Sequence, residues 1–309
     1  MRIIFMGTPE FAVPSLAALL DNGEQVVLVI TQPDRPRGRG RKMTPPPVKV
    51  VAEKAGIPVL QPSKIKTADF LEQIHSYAPD LTVVAAYGRI LPKSLIELPT
   101  LGTINVHASL LPKYRGAAPI QWAVINGEQQ TGITIMQMDE GLDTGDILLP
   151  GVVPIEENDT AGTLAPRLAS LGGRLLIDAL SRLRGGTLKA VRQDDDQATL
   201  APLLTKEDGH IDWSLPAFKI SCLIRGLDPW PTAFSFLEKE RLRFFKPSVL
   251  KDKAAAPPGT IVRADDDGLV IGTGENQLLV SEIQREGSRR MPVKDYLLGH
   301  PLKKGAVFG

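Results

Sequence analysis

The chain has 309 residues, 43% of them hydrophobic and 23% charged, with a formal net charge of +1. That length accommodates two domains of ordinary size, and near-neutrality excludes a global polyanion-binding surface, so any nucleic-acid contact must rest on a local patch. A single cysteine, Cys222, has no partner for an internal disulfide, and no apolar run reaches membrane-span length, so a reducing, cytoplasmic setting is expected.

Residues 2–6 are an apolar run that ends at Gly7-Thr8-Pro9, and a helix carrying Phe11, Leu16, Leu19 and Leu20 follows, closed by Asn22-Gly23. Strand, glycine turn and helix open a Rossmann-like unit directly at Met1, leaving no room for a leader peptide. The turn is not a dinucleotide fingerprint, because Thr8 and Pro9 stand where a second glycine is required, so no NAD is expected. Residues 25–31 form a second strand, nearly continuous in hydrophobes as a sheet covered on both faces requires. Next comes a Pro- and Gly-rich stretch, 32–49, with Arg35, Arg37, Arg39, Arg41 and Lys42 opposed only by Asp34. Its composition forbids a helix, so an exposed mobile loop is expected. Such a loop reads equally as a solvated charge run or as a contact for a phosphate backbone.

A helix over 48–55, a short edge strand over 57–60 and a helix over 67–77 lead to a buried strand over 81–87, with Ile90 and Leu91 in the loop after it. Asn105 and His107 then alternate with Ile104 and Val106, which places the amide and the imidazole on one face of a strand. A lone imidazole there is ordinarily a satisfied polar group. A second stretch changes that balance: Gly141-Leu142-Asp143-Thr144-Gly145-Asp146 forms an acidic, glycine-bounded loop between two apolar runs. Carboxylate, imidazole and carboxamide are the set that proton transfer beside a developing oxyanion requires.

A long helix over 164–184, capped by Asp159-Thr160 and stopped by Gly185-Gly186, ends the first domain, taken as 1–188. Residues 189–204, with Asp194-Asp195-Asp196 and no apolar period, read as a linker. The remaining 205–309 carry a helix over 218–225 and five short strands between tight turns, which suggests a small Greek-key barrel of OB type. Arg241, Arg243, Lys246, Arg285, Arg289 and Arg290 are candidates for a basic strip on it. Trp230, in the rigid Asp228-Pro229-Trp230-Pro231 turn, is read as capping the core in preference to stacking on a base, and Cys222 as a small buried hydrophobe.

Asn-x-His-x-Ser-Leu-Leu-Pro over 105–112 and Gly-Leu-Asp-Thr-Gly-Asp over 141–146 together resemble the folate-dependent formyltransferase family. The resemblance implies an α/β fold, a Rossmann-like formyltransferase domain followed by a small OB-like β-barrel domain. It implies Asn105, His107 and Asp143 as catalytic residues. It makes Ser109, Leu110, Leu111 and Pro112 the folate-binding run, with Ile90 and Leu91 near the pterin. The co-substrate it implies is 10-formyltetrahydrofolate, and no metal is expected. The branch of the family that formylates initiator methionyl-tRNA carries a basic insertion where this chain has Arg35, Arg37, Arg39, Arg41 and Lys42, so these are expected to contact that tRNA. The extra module is expected to hold the RNA, and residues 7–11 to take the methionine side chain. A cytoplasmic monomer is expected. The competing readings are a formyltransferase acting on an amino sugar or a ribonucleotide amine, a folate hydrolase, and a catalytically silent RNA-binding protein.

Overall fold

The structure is a computed structural model and describes residues 1–37, 40, 42–251 and 256–309, apart from the side chain of Arg37. The chain divides into two compact units, Met1–Pro119 with Thr131–Pro154 and Ala165–Ala201, and Ile120–Gln130 with Ile155–Leu164 and Pro202–Gly309.

The elements up to residue 201 are β1 (Arg2–Gly7), α1 (Val13–Asp21), β2 (Gln25–Ile30), β3 (Arg35–Arg37), β4 (Lys42–Thr44), α2 (Pro47–Lys54), β5 (Val59–Leu60), α3 (Ala68–Ser76), β6 (Leu81–Ala85), α4 (Lys93–Ile96), β7 (Thr103–His107), β8 (Arg115–Gly116), α5 (Pro119–Ile125), β9 (Gln130–Gln137), β10 (Ile147–Pro154), α6 (Ala161–Arg184) and β11 (Leu200–Ala201). One sheet runs β10-β9-β7-β6-β1-β2-β5. β1 is parallel to β2 and β6, β6 is parallel to β7, and β7 is antiparallel to β9. Ile3, Ile4, Phe5 and Met6 of β1 are fully buried, which is why central strands of a sheet covered on both faces read as unbroken hydrophobes.

The backing of β7 positions the site. An added Cβ on Gly172 of α6 would stand 2.8 Å from Val106 Cγ1, so the helix lies against one face of β7 only because that residue is glycine. Val106 is thereby committed to the helix side, and the period of two sends Asn105 and His107 the other way. The helix starts at Ala161, earlier than its apolar period indicates, because Thr160 and Thr163 cap reciprocally through N–H···Oγ1 bonds of 2.9 and 3.1 Å.

Three expectations change. Within the basic stretch, β3 and β4 pair antiparallel, Arg35 opposite Thr44 and Arg37 opposite Lys42, so its arms are a short hairpin where an irregular loop was expected. Arg39 and Arg41 lie outside the described residues. The stretch read as a linker is tied to the first unit through parallel pairing of β11 with β8. Arg115 N–H donates to Thr199 O at 2.8 Å and Ala117 N–H to Ala201 O at 2.9 Å. Gly116, at φ 124°, would drive a Cβ to 2.7 Å from Ala201 O, so the close approach of these strands requires glycine there. Residues 120–130 and 155–164, read as part of the first domain, cluster with the second unit. There Gly226 packs so tightly on α5 that a Cβ would meet Ile125 Cγ1 at 2.4 Å, and Arg225 donates to Asp159 O at 2.9 Å.

The second unit adds α7 (Ala217–Gly226), β12 (Phe234–Leu237), β13 (Glu240–Leu250), β14 (Ile261–Asp265), β15 (Gly268–Gly272), β16 (Gln277–Arg285), β17 (Met291–Pro292) and α8 (Val293–Leu297). Its sheet runs β12-β13-β16-β15-β14, with β17 paired to β16. Residues 306–309 bridge both edges: Leu237 pairs with Phe308 and Thr260 with Val307, which curls the sheet toward closure and covers strand edges that would otherwise be open. Phe308 enters the core against Trp213 and Phe244, with ring centroids 5.8 and 5.3 Å away. Trp230 is 52% exposed and does not cap the core; Trp213 is the buried indole, donating to Ser235 Oγ at 3.0 Å. Cys222 is fully buried, and burial pushes its thiol up against the opposing influence of Arg225, as befits a packing residue. Much of the expected basic strip is neutralised within the unit. Lys246 and Arg290 pair with Glu282, Arg290 also with Asp228, and Arg285 with Glu240.

Candidate active site

Three of the residues singled out in the sequence meet at the end of β7. Asp143 reaches both of the others: His107 Nδ1 lies 3.6 Å from Asp143 Oδ2, and Asn105 Nδ2 lies 3.5 Å from Asp143 Oδ1. His107 is buried and the Asp143 side chain is 14% exposed, so the cluster is largely shielded yet open at the carboxylate. His107 Nε2 lies 3.0 Å from Tyr114 O. A carbonyl only accepts, so Nε2 carries a hydrogen, and Nδ1 is the ring nitrogen turned toward Asp143. Gly116 N–H donates to Asp143 Oδ2 at 2.9 Å, which fixes the second oxygen of the acid. Asp143 itself adopts φ 53°, a left-handed conformation that costs a non-glycine residue about 1 kcal/mol and persists because its surroundings hold it.

The other expected site residues separate into two kinds. Ser109 is fully buried; its Oγ donates to Lys113 O at 2.6 Å and its carbonyl accepts from Thr134 Oγ1 at 2.7 Å. Leu111 is buried as well, its N–H bonded to Thr134 Oγ1 at 3.1 Å, whereas Leu110 and Pro112 are partly exposed. These side chains shape the loop that carries Tyr114 and Gly116. In the loop after β6, Leu91 packs into the cluster of Ile4, Met6, Phe70 and Tyr87, while Ile90 is 76% exposed. Arg89 holds that loop in place through Gln32 Oε1 at 3.1 Å and Ser63 O at 2.9 Å. Thr8, in the turn after β1, donates to Tyr87 O at 3.1 Å at the same end of the sheet.

The basic hairpin is anchored at its base. Lys49 Nζ contacts both oxygens of Asp34, at 3.0 and 3.1 Å, and Gln61 Nε2 donates to Asp34 Oδ1 at 2.8 Å. Hydrogen bonds from Gln61 and Lys49 hold the Asp34 carboxyl below the usual range. The one acid of the basic stretch is therefore committed to Lys49, leaving Arg35 and Lys42 exposed and uncompensated by it. Among the described residues there is no group of three or more His, Cys, Asp or Glu placed to hold a metal, and no helix is long and apolar enough to cross a membrane.

Sequence reasoning missed Tyr114 and Gln193. The first acts through its carbonyl, which carries no side-chain signature. The second sits in a polar stretch without period, and its amide reaches back to the Asp143 loop.

Fold and cluster together define a Rossmann-like sheet that carries a shielded Asn–His–Asp cluster, with an added curled antiparallel domain. Residues 1–180 match the formyl transferase family model, and residues 203–301 match the formyl transferase C-terminal domain. A protein of Desulfotalea psychrophila named methionyl-tRNA formyltransferase is 60% identical over 299 residues, 97% of this chain and 93% of that one. One of the same name from Caldanaerobacter subterraneus is 51% identical over 308 residues, 99% of each. The fold is shared with an N-formyltransferase of Helicobacter canadensis solved with folinic acid and dTDP-3-aminofucose, at TM-score 0.68 and 20% identity over 92% of this chain and 99% of that one. The chain belongs to the formyl transferase family. It is a formyl-transferring enzyme.

Proposed function

We propose that the enzyme transfers the formyl group of 10-formyltetrahydrofolate to the free amino group of methionine on initiator methionyl-tRNA, for translation initiation. The observation that carries the chemistry is that one carboxylate, Asp143, stands within reach of both the Asn105 amide and the His107 ring. The names of the 60% and 51% identical relatives support the acceptor.

In this reading the folate supplies an electrophilic formyl carbon and the amine of the charged tRNA attacks it. A C–N bond forms to the amine, the bond from the formyl carbon to the folate nitrogen breaks, and one proton passes from the amine to that nitrogen. Asn105 Nδ2 donates to the oxygen that becomes negative as the amine adds, an interaction typically worth ~3–4 kcal/mol of barrier. Because His107 Nε2 is committed to Tyr114 O, its contribution to that oxygen comes from Nδ1, in the imidazolium form. Asp143 accepts the amine's proton and keeps the His107 ring oriented. Exposed Ile90 offers an apolar surface suited to a flat heterocycle, and Leu110 and Pro112 belong to the folate-binding run. The backbone of 109–112 completes the folate-binding run, and Leu91 supports Ile90 from the core. Arg35, Arg37, Arg39, Arg41 and Lys42 contact the tRNA backbone. The first unit carries the chemistry, and 205–309 help hold the RNA. The enzyme works as a cytoplasmic monomer, and the reading invokes no metal.

Formyl transfer from labelled 10-formyltetrahydrofolate, measured with charged initiator tRNA against free nucleotide-linked amino sugars, tests this. Labelled formyl-methionine on the tRNA is expected. Transfer to the sugar alone, or release of formate without an acceptor, overturns it.

A further inference from the structure

Gln193 lies in the stretch that reads as a linker, yet it is 6% exposed and every polar atom of its amide is engaged. Its Nε2 donates to Asp143 O at 2.8 Å and to Gly145 O at 2.6 Å. Its Oε1 accepts from Arg115 Nε at 3.1 Å and Nη2 at 2.8 Å. The amide has only one possible orientation: the two carbonyls can only accept and the guanidinium can only donate. Arg115 is itself buried, 7% exposed, and its Nη2 also reaches Asp195 Oδ1 at 2.7 Å. The result is a continuous path from Asp195 through Arg115 and Gln193 to the carbonyls of the left-handed Asp143 and of Gly145. Three consecutive residues thus face the cluster: Tyr114 takes the His107 ring, Arg115 takes Gln193, and Gly116 takes the Asp143 carboxylate.

We infer that Gln193, oriented by Arg115, is a positioning residue for formyl transfer: it locks the backbone at 143 and 145 so that the Asp143 carboxylate stays between Asn105 and His107. The inference rests on the role proposed for Asp143. Only a carboxamide meets the three demands at once, two donors aimed at two carbonyls and one acceptor for the guanidinium. Loss of the donors frees both carbonyls to turn toward water, and the backbone at 143 relaxes from its left-handed conformation, carrying the carboxylate away from its partners.

Steady-state and single-turnover formyl transfer on the wild type, Gln193→Leu, Asp143→Asn and the double variant tests this, with each protein's thermal unfolding recorded alongside. Gln193→Leu is expected to lower kcat by about 10- to 100-fold with KM for both substrates within about threefold. Asp143→Asn combined with Gln193→Leu is expected to lie within about twofold of Asp143→Asn alone, because no carboxylate remains to be positioned. Arg115→Lys keeps the buried charge while loosening the grip on Gln193, and it is expected to show the same pattern at about three- to tenfold. Wild-type kcat in Gln193→Leu, or a full multiplicative loss in the double variant, overturns the inference while leaving the Asp143 role intact. Near-wild-type kcat in Asp143→Asn removes that role and the inference together.

Discussion

The loop over 139–146 and the hairpin arms over 35–37 and 42–44 are both polar, and they are held in opposite ways. In the first, Asp139 Oδ1 accepts from Gly141 N–H and Thr144 Oγ1 at 3.1 and 2.7 Å, while Gly116 and Gln193 grip Asp143 from two further segments. In the second, among the described residues, the arms pair only with each other, and the side-chain anchor is Asp34 with Lys49 and Gln61 at the base, leaving Met43 57% exposed. The difference fits the role proposed for each. Moving a proton demands atoms placed to a fraction of an ångström, so the acid is fixed from every side. Capturing a polyanion demands charge and reach, and each cation acts over several ångströms without a fixed partner.

That contrast can be broken or sharpened by mutation. The largest effect is expected at the gripped loop: His107→Ala and Asp143→Asn each lower kcat by roughly 100- to 10,000-fold while tRNA affinity stays near wild type. Filter binding beside single-turnover transfer separates the two quantities, and near-normal turnover in either variant would contradict the assigned chemistry. An intermediate effect is expected at the hairpin. Replacing Arg35, Arg37, Arg39, Arg41 and Lys42 by Ala weakens tRNA binding about tenfold or more at 0.15 M salt and flattens its dependence on salt. A salt slope equal to that of the wild type places the hairpin outside the interface.

The smallest effect is expected at the hairpin's base. Asp34→Asn raises KM for tRNA about two- to threefold with kcat unchanged, since it loosens the anchor without removing a cation. The Asp34 carboxyl is held below its ordinary range in the folded protein, so its stabilising contribution is present above that range and disappears as pH falls through the lowered value. The difference in unfolding temperature between wild type and Asp34→Asn is therefore expected to be constant above about pH 5 and to vanish in stronger acid. A difference that persists at low pH would show that the anchor does not act through the carboxylate.

Much of the fold could be read along the chain. The unbroken hydrophobic runs of β1, β2 and β6 announce a sheet covered on both faces, and the alternation of Ile104 and Val106 with Asn105 and His107 announces which side chains share a face. Elements of a few residues escaped. Neither α4 nor β8 nor β11 has enough positions to show a period, and each exists because neighbours hold it. Leu91 and Ile90 looked alike as adjacent apolar residues; only the packing of the loop after β6 sends one into the core and the other to the surface. The expected basic strip of the second unit was misleading for a related reason, because Glu240 pairs with Arg285 and Glu282 with Lys246, each partner far away in sequence.

By itself the sequence determined the class of fold, the separation into a Rossmann-like part and a barrel-like part, and the identity of three side chains that meet at the end of β7. Those depend on local periodicity and on residue type, and both are written along the chain. Only the tertiary structure decided how the three are held: that His107 turns Nδ1 toward Asp143 because Tyr114 takes Nε2, that Gly116 aims the carboxylate, and that a polar stretch far along the chain returns to grip its backbone. Hydrogen bonds through main-chain carbonyls and amides leave no trace in side-chain identity, and so they become visible only once the chain is folded.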